Sequence, residues 1–382
     1  MTSPDGSGTG TVLQISSMVP PSANGGAERV VAWLRTALED DGWRVHDAGL
    51  RPRGPAEVPS AVPIRNLYWP WDGTRRDPVR RLAWHAVDSL VLAARRQVEE
   101  LVDATSPDVV VTHNLRGWGY APWVVAGERG IPLVHVVHDY GLICNSSALW
   151  RGGNCTGLHR DCAVRRDTVD RRWPGGTVVG VSHAVLAEHD AAGLAFSRAA
   201  VVAPPLADWA GPAVARAPRD PGVPVTVGYL GRLSDIKGVE LLLAAARPPG
   251  SRLLLAGEGE AAYVDGLRAA GGPDVEWLGW VDTESFLDRI DVLAVPSLWR
   301  EPLGLVVVEA ARAGVPVLLA DRPGLVEAAR SAGALHTTFR TGDVGSLSAA
   351  LHRPIAEYVR ETGDEAGPDL VELIRQAAGR RS

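Results

Sequence analysis

PVTVGYLGRLSDIKGVE, residues 224–240, reads as a short apolar strand (224–231) that ends at a glycine, turns through Arg232 and Lys237, and passes into a longer amphipathic stretch. That is one βα unit. The same alternation runs through both halves of the 382 residues. In the first half it predicts strands at 11–17, 108–113, 132–138 and 177–182; in the second, at 224–231, 251–257, 275–279, 291–297 and 315–320. Apolar runs this continuous suit parallel strands covered on both faces. Between the halves, VVAPPLADWAGPAVARAPRDPGVPV (201–225) holds six prolines, which break any regular element. The hinge is expected near 204–223, dividing the chain into domains 1–204 and 205–382. The fold class is therefore α/β, two Rossmann-like domains with parallel sheets facing across a cleft. In open parallel sheets ligands sit beyond the carboxyl ends of the strands. Gly26, His113, Arg232 and Glu301 all fall on that side of a predicted strand.

Composition narrows the function classes. Net charge is −6, whereas a nucleic-acid binder would show the opposite sign, with Arg and Lys gathered on one face. Acid and base balance up to residue 205, so the imbalance lies after it. Three cysteines, an odd number in so long a chain, argue for a reducing compartment. The first ten residues, MTSPDGSGTG, lack a basic n-region and an apolar h-region, and no later apolar run reaches about 18 residues. A cytoplasmic protein with at most peripheral membrane contact is expected. The glycines of GSGTG have dinucleotide-loop spacing but precede a strand instead of following one, and read as a flexible tail.

The chemistry concentrates in four places. Lys237 is the only lysine in a chain that otherwise writes its positive charge as arginine. With Arg232 five residues earlier it suits a diphosphate: the guanidinium fork grips one phosphate and the compact ammonium serves the next. A solvated lysine is the alternative. REPLGLVVVEAARAG sets Glu301 and Glu309 eight apart, with a helix beginning near Pro302 to Gly304. The N–H groups of Leu303, Gly304 and Leu305 would then point unpaired at the cleft, and Glu309 could accept from two vicinal hydroxyls. A salt bridge to an arginine is the structural alternative for these acids. GGAERVV opens a helix where Gly25 and Gly26 can bring backbone N–H groups to an anion, unless the glycines serve only a turn. His113, His138 and Asp139 end strands and can reach the cleft, or be hydrogen-bonded structural groups.

These residues together resemble the retaining glycosyltransferases of family 4, with the GT-B fold. GGAERVV, HNLRGW, HDYGLIC, VSHAV, GRLSDIKG, LLLAGEGE, EWLGWV, VPSLWREPLGLVVVEAARAGVPV and the GD at 342–343 follow the family's order from about residue 11 to about 353. GRL…KG with the pair Glu301 and Glu309 is the specific part. The resemblance implies transfer of a sugar from a nucleotide-diphosphate donor to a hydroxyl acceptor, with retention and without a metal or other cofactor. By the same resemblance, Arg232 and Lys237 bind the diphosphate, aided by Gly26 and the N–H groups of 303–305. Glu309 holds the ribose, Glu301 sits by the donor sugar and His113 contacts its hydroxyls. No Asp-x-Asp occurs in the chain. A GT-B epimerase and a catalytically silent nucleotide-sugar-binding subunit are the rival readings.

Some features depart from the family or stand outside it. Val111 occupies the place of a frequent second histidine. Cys144, Cys155, His159 and Cys162 have the ligand types of a Cys3His zinc site without a standard spacing, against plain buried thiols. NLYWPWDGTRRDPVRRLAWHAVDSL (66–90) mixes aromatic residues with arginine pairs, suiting an acceptor site, an acidic membrane surface, or a loop and a helix with a solvated face. Trp69, Trp71 and Trp118 are candidate sugar or aglycone platforms. The tail GPDLVELIRQAAGRRS reads as a helix that, by resemblance, returns to the first domain. The donor's base and sugar, the acceptor and the oligomeric state leave no mark in the sequence.

Overall fold

The computed structural model describes residues 10–19, 25–53, 61–72, 74, 76–196, 199–201, 224–361 and 369–379. The hinge expected at 204–223 and the GSGT of the opening tail lie outside the described residues. The first sheet contains β1 (Gly10–Ile15), β2 (Trp43–Arg51), β3 (Ala61–Pro63), β4 (Val109–Thr112), β5 (Leu133–Val137), β6 (Thr177–Gly180) and β7 (Ala199–Val201). Its order is β3-β2-β1-β4-β5-β6-β7, and every pair is parallel. The second contains β8 (Thr226–Leu230), β9 (Arg252–Ala256), β10 (Val275–Gly279), β11 (Val292–Val295), β12 (Val317–Ala320), β13 (Leu335–Phe339) and β14 (Val359–Arg360). Its order is β10-β9-β8-β11-β12-β13-β14, with only β14 antiparallel to its neighbour. All nine strands read from the sequence are present, and the two halves are Rossmann-like.

The central strands are buried on both faces, as the apolar runs require: β4, β5, β11 and β12 are buried throughout. In each sheet the strand order reverses once, between β1 and β4 and between β8 and β11. Such a switch point opens a crevice at the carboxyl edge, where the loops diverge to either side. Helix α1 (Gly26–Asp40) covers one face of the first sheet, burying Val30, Val31, Leu34 and Leu38 on one stripe.

The halves touch through polar contacts on either side of the crevice. Glu327, on α11 (Pro323–Ser331), accepts from the backbone N–H groups of His183 (2.6 Å) and Ala184 (3.0 Å) at the start of α6 (His183–Ala191). A carboxylate there complements the helix N-terminus. Asn154 Nδ2 donates to the Leu298 carbonyl (2.8 Å), and Arg300 pairs with Glu188 (3.2 Å). The last helix, α13 (Leu370–Ala377), packs on α1, where Arg375 grips both oxygens of Asp41 at 2.6 and 2.7 Å. No helix among the described residues is long and apolar enough to cross a membrane.

Candidate active site between the two sheets

The second half supplies a wall built on the loops after β8 and β11. After β8 the chain makes a single 3-10 turn, Asp235–Lys237, and is redirected by Gly238 (φ 69°) into α7 (Val239–Ala244). This turn presents Lys237 to the loop after β11. Its Nζ donates to Glu301 Oε1 at 2.5 Å and lies 5.3 Å from the centre of the Trp299 ring. Ser297 Oγ donates to the same carboxylate oxygen at 2.6 Å. Burial alone would push the Glu301 carboxyl up, but the Lys237 charge and these hydrogen bonds outweigh it and hold it below the usual range. The sole lysine therefore stands between an acid and an indole, and the indole lines the cleft. Arg232, two residues after β8, is exposed, and its guanidinium has no ion pair among the described residues.

Helix α10 (Leu305–Arg312) begins one residue later than the sequence reading placed it, because Gly304 sits in the left-handed region (φ 89°) as its N-cap. A Cβ on Gly304 would come within 2.5 Å of Leu325 Cδ2, so the tight turn needs glycine twice over. The N–H groups of Leu303, Gly304 and Leu305 find no acceptor among the described residues. They lie at the positive end of a helix.

Across the cleft stands the start of α1. A Cβ on Gly26 would lie 2.9 Å from Leu305 Cδ1, so this glycine lets the two helix starts approach. Gly25 caps α1, and the Glu28 carboxylate folds back over it: a Cβ on Gly25 would meet Glu28 Oε2 at 2.4 Å. Burial raises the Glu28 carboxyl. Glu309 is ion-paired across the cleft with Arg29 of α1, and its carboxyl is likewise raised by burial against the pull of that arginine. Of the alternatives left open for Glu309, the salt bridge is the one present. Glu28, Arg29, Ser297 and Trp299 escaped the sequence reading, although the first two stand inside the quoted GGAERVV.

The histidines form a chain whose tautomers follow from its far end. Gln14 Nε2 donates to Asp47 Oδ1 (2.8 Å), which fixes Gln14 Oε1 toward His113. His113 Nε2 must then carry hydrogen and donate to it at 2.9 Å, so its Nδ1 accepts from His138 Nε2, also at 2.9 Å. His113 is 1% exposed and both ring nitrogens are engaged within the protein. A direct contact from His113 to sugar hydroxyls is thus not what this arrangement offers; His138, half-buried, is the ring at the cleft, and His113 fixes it from behind. Burial pushes His138 down to about 4 and His113 well below its usual value, so both are neutral near pH 7.

Two cavities meet at this ring. One, about 280 Å³, lies between the halves and is lined by Gly26, Trp299, Leu303 and Leu305. The other, about 140 Å³, lies in the first half and is lined by Trp71, Arg116, Leu142 and Arg165. Glu28, Asn114, His138 and Asp139 line both. Asp139 accepts from the Gly141 N–H at 2.6 Å, and burial raises its carboxyl. Trp118, expected as a sugar or aglycone platform, is instead 1% exposed; its Nε1 donates to the Ser16 carbonyl (2.7 Å), and it offers no face to a ligand. Gly117 (φ 91°) and Gly119 (φ 59°) flank it in a tight turn that tucks the ring into the core. Among the described residues no three His, Cys, Asp or Glu side chains are grouped to hold a metal. Cys144, Cys155 and Cys162 are free thiols, Cys144 Sγ lying 3.1 Å from Ser146 Oγ, and His159 is exposed at the N-cap of a helix.

Residues 24–206 match the family described as Glycosyltransferase Family 4, and residues 224–357 match Glycosyl transferases group 1. A D-inositol 3-phosphate glycosyltransferase from Mycolicibacterium vanbaalenii is 30% identical over 298 residues, 68% of this chain and 63% of that protein. Among solved structures, sucrose-phosphate synthase from Thermosynechococcus elongatus superposes with a TM-score of 0.67 at 20% identity, covering 97% of this chain and 92% of that one. Anabaena HepE in complex with UDP-glucose gives 0.60 at 19% identity, covering 97% and 93%. Two sheets that switch at a shared crevice, the order of the motifs along both halves and these likenesses lead to one conclusion: the chain belongs to the glycosyltransferases of family 4, with the GT-B fold.

Proposed function

We propose that the protein transfers a sugar from a nucleotide-diphosphate donor to a hydroxyl acceptor, with retention of the anomeric configuration and without a metal. The observation that carries this reading is the lone ammonium of Lys237, held by Glu301 against Trp299 on the cleft wall. In this reading the bond from the anomeric carbon to the diphosphate breaks and the bond to the acceptor oxygen forms on the same face. The acceptor proton passes to the departing phosphate oxygen, so no protein nucleophile is needed.

The protein's part is electrostatic. Negative charge grows on the diphosphate as the bond loosens, and fixed donors in a closed cleft oppose it best. Lys237, Arg232 and the N–H groups of 303–305 would serve that role, with Lys237 held in position by Glu301. Glu309 would accept from the ribose hydroxyls, which then compete with Arg29 for its oxygens. His138 would meet the donor sugar, oriented by His113 and Gln14. The acceptor would enter through the cavity lined by Trp71 and Arg116.

The test is to incubate the protein with nucleotide sugars in the presence of a chelator, UDP-glucose first because Anabaena HepE binds it. NMR of any sugar transferred or released reads the anomer. Slow donor hydrolysis or transfer with retention supports the reading. An inverted product, a strict metal requirement, or an interconverted sugar without transfer would each overturn its corresponding part.

A further inference from the structure

The first of the open N–H groups, that of Leu303, is steered by a residue of the other half. Pro302 precedes it, and the proline ring holds φ at about −65°, which leaves the peptide plane between Pro302 and Leu303 free to turn about the second Pro302 dihedral. Ser182 removes that freedom, because its Oγ donates to the Pro302 carbonyl across the crevice. The direction of this bond is forced. The same oxygen accepts from the Val185 N–H at 3.0 Å as the N-cap of α6, and a carbonyl can only accept, so the single hydroxyl hydrogen goes to Pro302. In a trans peptide the carbonyl and the following N–H point opposite ways. Holding the Pro302 carbonyl toward α6 therefore turns the Leu303 N–H away from α6, and that N–H meets no acceptor among the described residues. Pro302 and Leu303 both line the cavity between the halves.

Both partners of this bond are themselves held. Ser182 is 0% exposed, two residues beyond β6, and the N–H groups of the next two residues go to Glu327, so the start of α6 is tied to α11 of the second half. On the other side of the loop, a Cβ on Gly324 would overlap the Glu301 carbonyl and crowd that of Pro302. The loop thus lies directly on the first turn of α11. Capping α6 uses only a lone pair of the Ser182 oxygen, which leaves its hydrogen over for a second task. That hydrogen joins the contact between the halves to the direction of an N–H on the cleft wall.

We infer that Ser182 is a positioning residue for the donor diphosphate: from the first half, it aims the Leu303 N–H of the second half at a phosphate oxygen. The inference rests on the diphosphate reading of this wall, and the experiment separates the two. Inorganic pyrophosphate is titrated by calorimetry into the full chain and into its Arg232→Ala, Ser182→Gly and Ser182→Thr variants. Glycine caps a helix almost as well as serine, so Ser182→Gly deletes the hydroxyl and spares α6. Its Kd for pyrophosphate rises about 10-fold, as for the loss of one hydrogen bond to a charged group, while its melting temperature stays close to that of the wild type. Ser182→Thr, which keeps the hydroxyl, binds like the wild type. A role confined to capping α6 would move the melting temperature and leave Kd unchanged. Pyrophosphate that does not bind the wild type, or binds Arg232→Ala equally well, would overturn the diphosphate reading beneath the inference. Wild-type binding that Ser182→Gly matches, or a loss that Ser182→Thr shares, would overturn the role of Ser182 alone.

Discussion

Replacing Lys237 with alanine tests the site most directly, because one change alters rate and stability in ways that can be separated. Removing a single preorganised donor from a developing oxyanion costs on the order of 100- to 1000-fold in kcat. The same change strands Glu301, which is 6% exposed. Breaking a buried pair by deleting one partner costs about 3–5 kcal/mol. The Lys237 side chain is 22% exposed, and Ser297 remains bonded to the carboxylate, so about 2 kcal/mol is the better figure here. For a domain of this size that lowers Tm by about 4–8 °C.

Acidity then identifies the source of the loss. In the wild type Glu301 is held below its unfolded range, so its stabilisation is present above the unfolded carboxylate value and lost as pH falls through the folded one. Without Lys237 only burial and Ser297 act on it, the carboxyl rises, and protonation relieves the variant. The Tm gap between the two proteins should therefore be wide at neutral pH and close as the solution is acidified. Adding Glu301→Gln to Lys237→Ala should restore much of the Tm and none of the turnover. Scanning calorimetry across pH, beside donor hydrolysis assays, reads both quantities. A Lys237→Ala variant with wild-type turnover, or a Tm gap that ignores pH, would refute the reasoning.

Glu309→Gln should raise the donor KM roughly 10-fold with little change in kcat, as for a hydrogen bond made equally in ground and transition states; initial-rate kinetics would show a fall in kcat instead if Glu309 acted on the reacting bond. His135 and His138 are buried neutral, pushed down to about 3 and about 4 by burial. The unfolded chain thus binds more protons below about pH 6.5, and stability should decline as pH falls from there and level off above it, as denaturant titrations at a series of pH values would record. His138→Asn should lower kcat without removing an inflection near pH 6.5 from the rate profile, because the ring does not titrate there. Gly238→Ala forces a side chain into a φ of 69° and against the Pro296 carbonyl; a loss of about 2 kcal/mol or more in stability and a displaced Lys237 should follow, read by urea melts and turnover.

What could be read from the sequence was whatever depends on neighbours in the chain. The nine predicted strands are runs whose both faces are covered, so they write themselves as continuous apolar letters. β2 was missed because WRVHDAGLR mixes polar residues into a strand near the sheet edge, and two of those residues do work at a distance: Asp47 anchors Gln14 and pairs with Arg35 (2.7 Å). β13, LHTTF, was missed for the same reason, and β3, β7 and β14 are too short to show a period. Trp118 was misjudged although the signal was present, since a tryptophan between two glycines can be turned inward by their positive φ. The partner of Glu309 was out of reach, because Arg29 lies 280 positions away. The inward turn of His113 likewise depends on Gln14, 99 positions earlier.

The pairing pattern also bears on how such a cleft can work. Lys237 is matched by Glu301 from its own half, whereas Glu309 is matched by Arg29 from the other half. The first pair can persist while the halves move, so Lys237 keeps its position throughout. The second cannot, since any separation of the halves breaks it and returns the Glu309 carboxylate to water. Donors engaged by neither pair among the described residues, the N–H groups of 303–305 and the guanidinium of Arg232, are what an incoming diphosphate could take without displacing an acid. In the proposed reaction, attraction for the donor would come mainly from groups that carry no counter-charge, and Lys237, already half-satisfied by Glu301, would gain most when the departing phosphate becomes the stronger anion. A lysine held in this way would discriminate between ground and transition state, which a free one could not do as well.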